Sequence, residues 1–185
     1  SYYQGKTQGL GGMTAVGLGK QDIMAWLAPF DDLELAGINS YRGTTIAGSL
    51  LSLAKLEATL QQHGIFYRRL AIDYPFHSQA MDVIAQPLQN DLKQLTPKKT
   101  RIPFYSTVTG KQYGHLDARY WWKNVRQPVL FDSAIDEILT RGVSNFVEIG
   151  AHPVLQSYLR DALKNHNIPG HVITTLSRHQ QSPQA

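Results

Sequence analysis

The apolar positions along the chain change period several times, and each change marks an element. Met13 to Leu18 is a short apolar run with strand character. Ile23, Trp26 and Leu27 recur at helical spacing, and Pro29 stops that helix. Leu33 to Ile38 predicts a second strand, Tyr41-Arg42-Gly43 a turn, and Thr44 to Ala47 a third strand rich in β-branched residues. Ser49 is placed to cap the next helix, which has Leu53, Leu56 and Leu60 as its apolar stripe and Gly64 as its stop. Ile65 to Leu70 reads as a fourth strand. The order β-α-β-β-α-β predicts a split βαβ, ferredoxin-like lobe.

After Tyr74-Pro75 the pattern lengthens. Ser78 to Leu95 predicts a helix with Met81, Ile84, Ala85, Leu88 and Leu92 on one face and a kink at Pro87. Ile102 to Val108 reads as a strand, 109–119 as a polar loop, and Tyr120-Trp121-Trp122 as an aromatic knot. A helix over Val129–Leu139, a strand over Asn145–Ile149, a helix over Pro153–Leu163 and a strand over His171–Leu176 complete the pattern. Strand alternating with helix argues for part of a parallel α/β sheet. The chain therefore divides into a polar, glycine-rich approach segment (1–11), a ferredoxin-like subdomain (12–72), an α/β part (73–176) and the start of a linker (177–185).

Composition narrows the function classes. The 185 residues are 42% hydrophobic and 17% charged, with a net charge of +4, which suits a globular chain and excludes wholesale disorder. No run approaches the roughly 20 apolar residues of a membrane span, and no signal-peptide start is present. Without a cysteine, disulfide frameworks, thiolate metal sites and cysteine nucleophiles are excluded, and a cytoplasmic location is expected. Basic residues gather loosely at Lys93, Lys98, Lys99, Arg101, Lys111, Arg119, Lys123 and Arg126. They lack the dense face and stacking aromatics of a nucleic-acid surface. A solvated surface or an acidic protein partner is the expectation, with no nucleic acid and no membrane.

Three stretches could carry chemistry. No phosphate loop, HExxH helix, EF-hand loop or GxSxG elbow occurs in the sequence. In Asp73-Tyr74-Pro75-Phe76-His77-Ser78, Pro75 sets an extended approach and Ser78 is placed to cap the following helix. His77 would then sit at a helix N-terminus, where the dipole disfavours imidazolium and leaves a neutral ring able to accept a proton. A packed, hydrogen-bonded histidine with no chemical role remains the alternative. In YWWKNVRQPVLF (Tyr120–Phe131), Asn124 could offer a carbonyl or side chain to a neighbour. FVEIGAHPVL (Phe146–Leu155) reads as a strand, a glycine turn and a helix opened by Pro153.

Together with GGMTAVGL (Gly11–Leu18), AGINSYRGTTIAG (Ala36–Gly48), YPFHSQAM (Tyr74–Met81) and IPFYSTVTG (Ile102–Gly110), these stretches resemble the acyltransferase domain of modular polyketide synthases. That family is related to malonyl-CoA:acyl-carrier-protein transacylases. The resemblance implies an α/β fold with a ferredoxin-like subdomain inserted in an α/β-hydrolase-like core, of which 73–176 would be the C-terminal part. It also implies a ping-pong transfer, in which a serine takes a malonyl-type unit from coenzyme A and passes it to the phosphopantetheine thiol of an acyl carrier protein. No cofactor is expected to be tightly bound. By resemblance, His77 is the base, Asn124 supplies a carbonyl to its other ring nitrogen, and Tyr74, Pro75, Phe76 and Ser78 contact substrate. Phe76 is similar to the malonyl-selective form, in which the ring fills the space of an α-methyl group. Tyr74 is shared with the methylmalonyl-selective form. The family's GHSxG serine and its carboxylate-binding arginine have no counterpart in this sequence. The expectation is therefore a missing N-terminal acyltransferase segment carrying the serine, flanking synthase domains, and a fragment inactive alone. The alternative is a non-catalytic structural or docking segment of a megasynthase.

Overall fold

Between Gly12 and Arg69 the alternating apolar residues form the elements that their spacing predicts. In the computed structural model, which describes residues 2–176, a short α1 (Tyr2–Gly5) leads into β1 (Gly12–Val16) and α2 (Lys20–Leu27). There follow β2 (Leu33–Ser40), β3 (Gly43–Gly48), α3 (Leu50–Gln62) and β4 (Tyr67–Arg69). The strands lie in the order β4-β1-β3-β2, each antiparallel to its neighbour. This is the ferredoxin-like order of the sequence reading.

One face of the sheet is covered by both helices. Val16, Ile23, Leu27, Leu33, Ile46, Leu53, Leu56 and Leu60 form this core. Burying each such side chain stabilises the lobe by roughly 1.5–3 kcal/mol. Ser49 caps α3 as expected, its Oγ accepting from the Ser52 amide at 3.1 Å. The opposite face is built from small residues and receives other parts of the chain. Met13, Ala36 and Ala47 are buried there beneath Leu70 and Phe76.

Beyond β4 the structure departs from the sequence reading. The helix expected over Ser78–Leu95 is a 3₁₀ turn, Gln79–Ile84, followed by α4 (Ala85–Leu92). Pro87 is the third residue of α4. There its missing N–H is one that no intrahelical carbonyl would have met. The change of winding at Ile84/Ala85 replaces the expected kink. The strand expected over Ile102–Val108 shrinks to β5 (Tyr105–Ser106), paired antiparallel with β6 (Lys111–Gln112) in its own hairpin rather than in a parallel sheet. Gly110 makes the turn possible with φ +66°.

The 109–119 loop and aromatic knot conceal α5 (Ala118–Arg126), capped by Asp117 Oδ1, which accepts from the Tyr120 amide at 2.7 Å. The helix expected from Val129 begins later, as α6 (Phe131–Thr140). Val129–Leu130 form β7, which extends the lobe's sheet parallel to β2.

The described residues form two compact units, divided between Ala134 and Ile135. In the second, β8 (Asn145–Glu148) and β9 (His171–Thr174) pair in parallel across α7 (Gln156–Asn165). Helix α7 starts three residues after Pro153. The Glu148 carboxylate instead accepts the Val154 and Leu155 amides at 2.7 and 2.9 Å, holding them in the turn. Val147 and Ile173 on the outer face are each 60% exposed. No helix among the described residues is long and apolar enough to cross a membrane. The expected linker, 177–185, lies outside the described residues.

Candidate functional site

The site is an irregular segment fixed from several sides. The Asp73 carbonyl accepts the Gly9 amide at 2.8 Å, and its carboxylate accepts Gln8 Nε2 at 2.7 Å. The approach segment is thus tied to the start of the site. Tyr74 and Phe76 flank buried Pro75 and stack on each other, 5.2 Å apart and 11° from parallel. Phe76 packs onto Met13, Ala36 and Ala47.

His77 follows with φ +61°. Histidine is among the residue types that enter this left-handed region, at a cost of about 1–3 kcal/mol. Two carbonyls from the end of α5 hold it there. The Val125 carbonyl accepts the His77 amide at 3.2 Å. The Gln127 carbonyl lies 2.7 Å from Nδ1. A carbonyl only accepts, so Nδ1 carries the proton and Nε2 keeps its lone pair. The residue is partly buried. Burial lowers its pKa from the ordinary 6.5 by more than the Gln127 carbonyl raises it. The ring is therefore neutral at pH 7, with Nε2 able to take a proton.

Three sequence readings change here. The carbonyl at Nδ1 belongs to Gln127, not to Asn124. Asn124 lies in the last turn of α5 (Ala118–Arg126); the α5-end carbonyls that reach His77 are those of Val125 and Gln127. Gln127 is the C-cap, with ψ 156°. The residue before a proline is driven to extended ψ, and Pro128 follows, so the Gln127 carbonyl turns out of the helix and is free to accept. That signal was present in the dipeptide Gln127-Pro128. Secondly, Ser78 is buried and makes no helix cap. Its hydroxyl donates to the Pro75 carbonyl at 2.6 Å. Thirdly, only a six-residue 3₁₀ turn follows His77 in place of the expected long helix, and burial lowers the ring's pKa.

One guanidinium missed by the sequence reading braces the segment. Arg126 Nε lies 2.8 Å from Asp82 Oδ1, and Nη1 lies 2.9 Å from Glu34 Oε2. The other Glu34 oxygen accepts the Gln79 amide. Beside this brace a cleft of 310 Å³ opens between the lobe and the segment, lined by Leu10, Glu34 and Gly48 on one side and Pro75, Ser78 and Gln79 on the other. Asp32 lies on its wall. Hydrogen bonds from Ser49 and Ser52 hold the Asp32 carboxyl below its usual range. Among the described residues, no group of three or more His, Asp or Glu could hold a metal ion.

Comparison with known proteins identifies the family and the fold. A sequence model described as "Acyl transferase domain" matches residues 3–184. The mycoketide-CoA synthase of Mycobacterium tuberculosis is 37% identical over 150 residues, covering 80% of this chain and 4% of the synthase. The polyketide synthase GfsB of Streptomyces halstedii is 34% identical over 159 residues, covering 84% of this chain and 3% of that protein. Among solved structures, the acyltransferase domain from module 8 of the salinomycin polyketide synthase superposes with a TM-score of 0.93 at 30% identity. That match covers 96% of this chain and 43% of the other. The chain thus spans a small part of these relatives and under half of the solved domain.

Proposed function

Because the chain belongs to the acyl transferase domain family, we propose that it forms the base-bearing part of a transferase that moves a malonyl-type unit from coenzyme A to an acyl carrier protein in polyketide synthesis. The observation that carries this reading is the His77 ring, held with Nδ1 on the Gln127 carbonyl and Nε2 unprotonated.

In the first half-reaction, Nε2 takes the proton of a serine hydroxyl while that oxygen attacks the thioester carbonyl. The C–S bond breaks, the coenzyme A sulfur leaves with the proton from Nε2, and an acyl-serine ester remains. In the second, Nε2 takes the proton of the phosphopantetheine thiol, the sulfur attacks the ester, and the serine oxygen recovers the proton. The Gln127 carbonyl keeps the tautomer correct in both directions, as the third member of a Ser-His-Asp triad does elsewhere. Since the sequence has no GHSxG elbow, the reading assigns the hydroxyl, and the arginine for the malonyl carboxylate, to polypeptide outside residues 1–185.

Phe76 is assigned to selectivity, its ring occupying the room an α-methyl group needs, with Tyr74 stacked behind it. Pro75 and Ser78 shape the cleft wall. The carrier is assigned to the exposed strip bearing Lys93, Lys98, Lys99, Arg101 and Lys111, all solvent-facing. No acidic residue occurs from Leu92 to Leu116. A surface of one sign steers an oppositely charged partner. Reversing Lys98, Lys99 and Arg101 to Glu should slow transfer to the carrier and leave loading from coenzyme A unchanged. Equal carrier rates would remove the strip from the reading.

The deciding experiment is acyl loading with labelled malonyl-CoA, on the chain alone and on the chain joined to an upstream GHSxG-bearing segment. Label on the joined protein, and its loss in His77→Ala, supports the reading. No label on either supports a non-catalytic docking segment of a megasynthase, which the absence of the elbow serine favours.

A further inference from the structure

We infer that Arg126 is a positioning residue for the His77 imidazole, acting through two carboxylates that hold the turn leaving it, Asp82 on the turn itself and Glu34 on β2. Its place in the chain is the first reason. Arg126 lies between Val125 and Gln127, whose carbonyls hold the His77 amide and Nδ1 at 3.2 and 2.7 Å. Any movement of its backbone moves both contacts.

Its reach is the second reason. Nε meets Asp82 at 2.8 Å, on the 3₁₀ turn directly after His77. Nη1 meets Glu34 at 2.9 Å, on β2. Glu34 in turn receives the amide of Gln79, two residues past His77. The guanidinium therefore joins three separate stretches: the end of α5 that supplies the accepting carbonyls, the lobe's sheet and the exit of the His77 turn. A planar fork with several fixed donors can do this; an ammonium cannot hold both carboxylates in the same geometry.

The conformation being held is the third reason. His77 has φ +61°, a setting that relaxes unless its surroundings over-determine it. Asp73 at the head of the segment is tied to Gln8 and Gly9, and past His77 the turn is folded by local bonds from Ser78 Oγ to Pro75 O and from the Met81 amide to Ser78 O at 3.0 Å. They fold the turn without fixing it to α5. The arms of Arg126 supply that connection.

The importance of this brace rests on His77 being the base, but its test does not. Ring-nitrogen shifts of His77 are read by long-range ¹H–¹⁵N NMR on the labelled 185-residue chain, with His77→Gln assigning the signals. The wild-type ring should show the Nδ1–H tautomer in clear excess, opposite to the preference of a free imidazole. In Arg126→Gln that excess should fall several-fold. Arg126→Lys should lie between the two. Asp82→Asn, which cuts one arm on an exposed residue, should give a smaller fall in the same direction, and it decides the matter if Arg126→Gln does not fold. Unchanged His77 ring shifts in a folded variant, even with a lowered melting temperature, would reduce Arg126 to a structural tie and overturn the inference. A tautomer change with no acyl transfer in any protein would leave the brace standing and sink the proposed function instead.

Discussion

The imidazole Nδ1 of His77 lies 2.7 Å from the backbone carbonyl of Gln127, fifty positions away in the chain. A backbone group here fixes the ring tautomer, with no charge of its own. Substitution of Gln127 leaves such a partner in place. Gln127→Ala and Asn124→Ala should each retain acyl loading within a few-fold in the joined transferase. His77→Ala should lower it by about 10²–10⁴. Initial rates of labelled malonyl transfer check all three, and a large loss in Asn124→Ala with the fold intact would reopen its assignment.

The neutral ring gives stability a particular dependence on pH. An unfolded chain protonates His77 near 6.5, whereas burial places the folded value lower. Between those two values the unfolded state binds more protons, so stability rises with pH across the window. The contribution of His77 is complete above pH 6.5 and is lost as pH falls through the folded value. Urea midpoints measured from about pH 5 to 7.5 should show a weaker slope in His77→Gln than in the wild type. Parallel slopes would mean that the ring is not desolvated.

Phe76 is held by two contacts, the stacked Tyr74 ring and the Met13, Ala36 and Ala47 surface. Packed on both sides, its ring is placed for its bulk to discriminate. Phe76→Ala should raise the ratio of methylmalonyl to malonyl loading by about 10-fold or more, the range for one methyl group in a pocket. Competition between the two coenzyme A thioesters gives this ratio directly. No change would place the α-carbon elsewhere.

Gly48 joins the lobe to the cleft wall. A Cβ there would stand 2.2 Å from the Asp32 carbonyl oxygen and 2.6 Å from Leu33 Cδ2. Gly48→Ala should destabilise the chain by about 1–3 kcal/mol or more, as overpacking does. Ser49→Ala, which removes the α3 cap, should cost about 1 kcal/mol. Thermal or urea melts separate the two effects. A Gly48→Ala protein as stable as the wild type would mean that β2 and β3 can part at that end.

The ferredoxin-like lobe was legible in the residues because its signals are local. Alternating apolar positions, the Ser49 cap and the Gly64 stop act within a few residues of themselves, and the lobe's core is made by the elements they define. The irregular segment around His77 was also legible, because Tyr74-Pro75 marks where the pattern breaks. The same local reasoning misread Ser78 as a cap, overlooked α5, and took the short β5–β6 hairpin for a strand of a parallel sheet.

What the tertiary structure decided lies in contacts between distant segments. The lone pair of His77 is on Nε2 because the end of α5 arrives from fifty residues away to take Nδ1–H, and no periodicity records that meeting. The choice of Gln127 over Asn124 depends on where the helix stops, which Pro128 hinted at and packing completed. Arg126, Glu34 and Asp82 were unremarkable charges in the sequence. They became a brace only when β2, α5 and the 3₁₀ turn converged. Local sequence sets which residues can bear a proton; long-range packing sets which atom of them holds it.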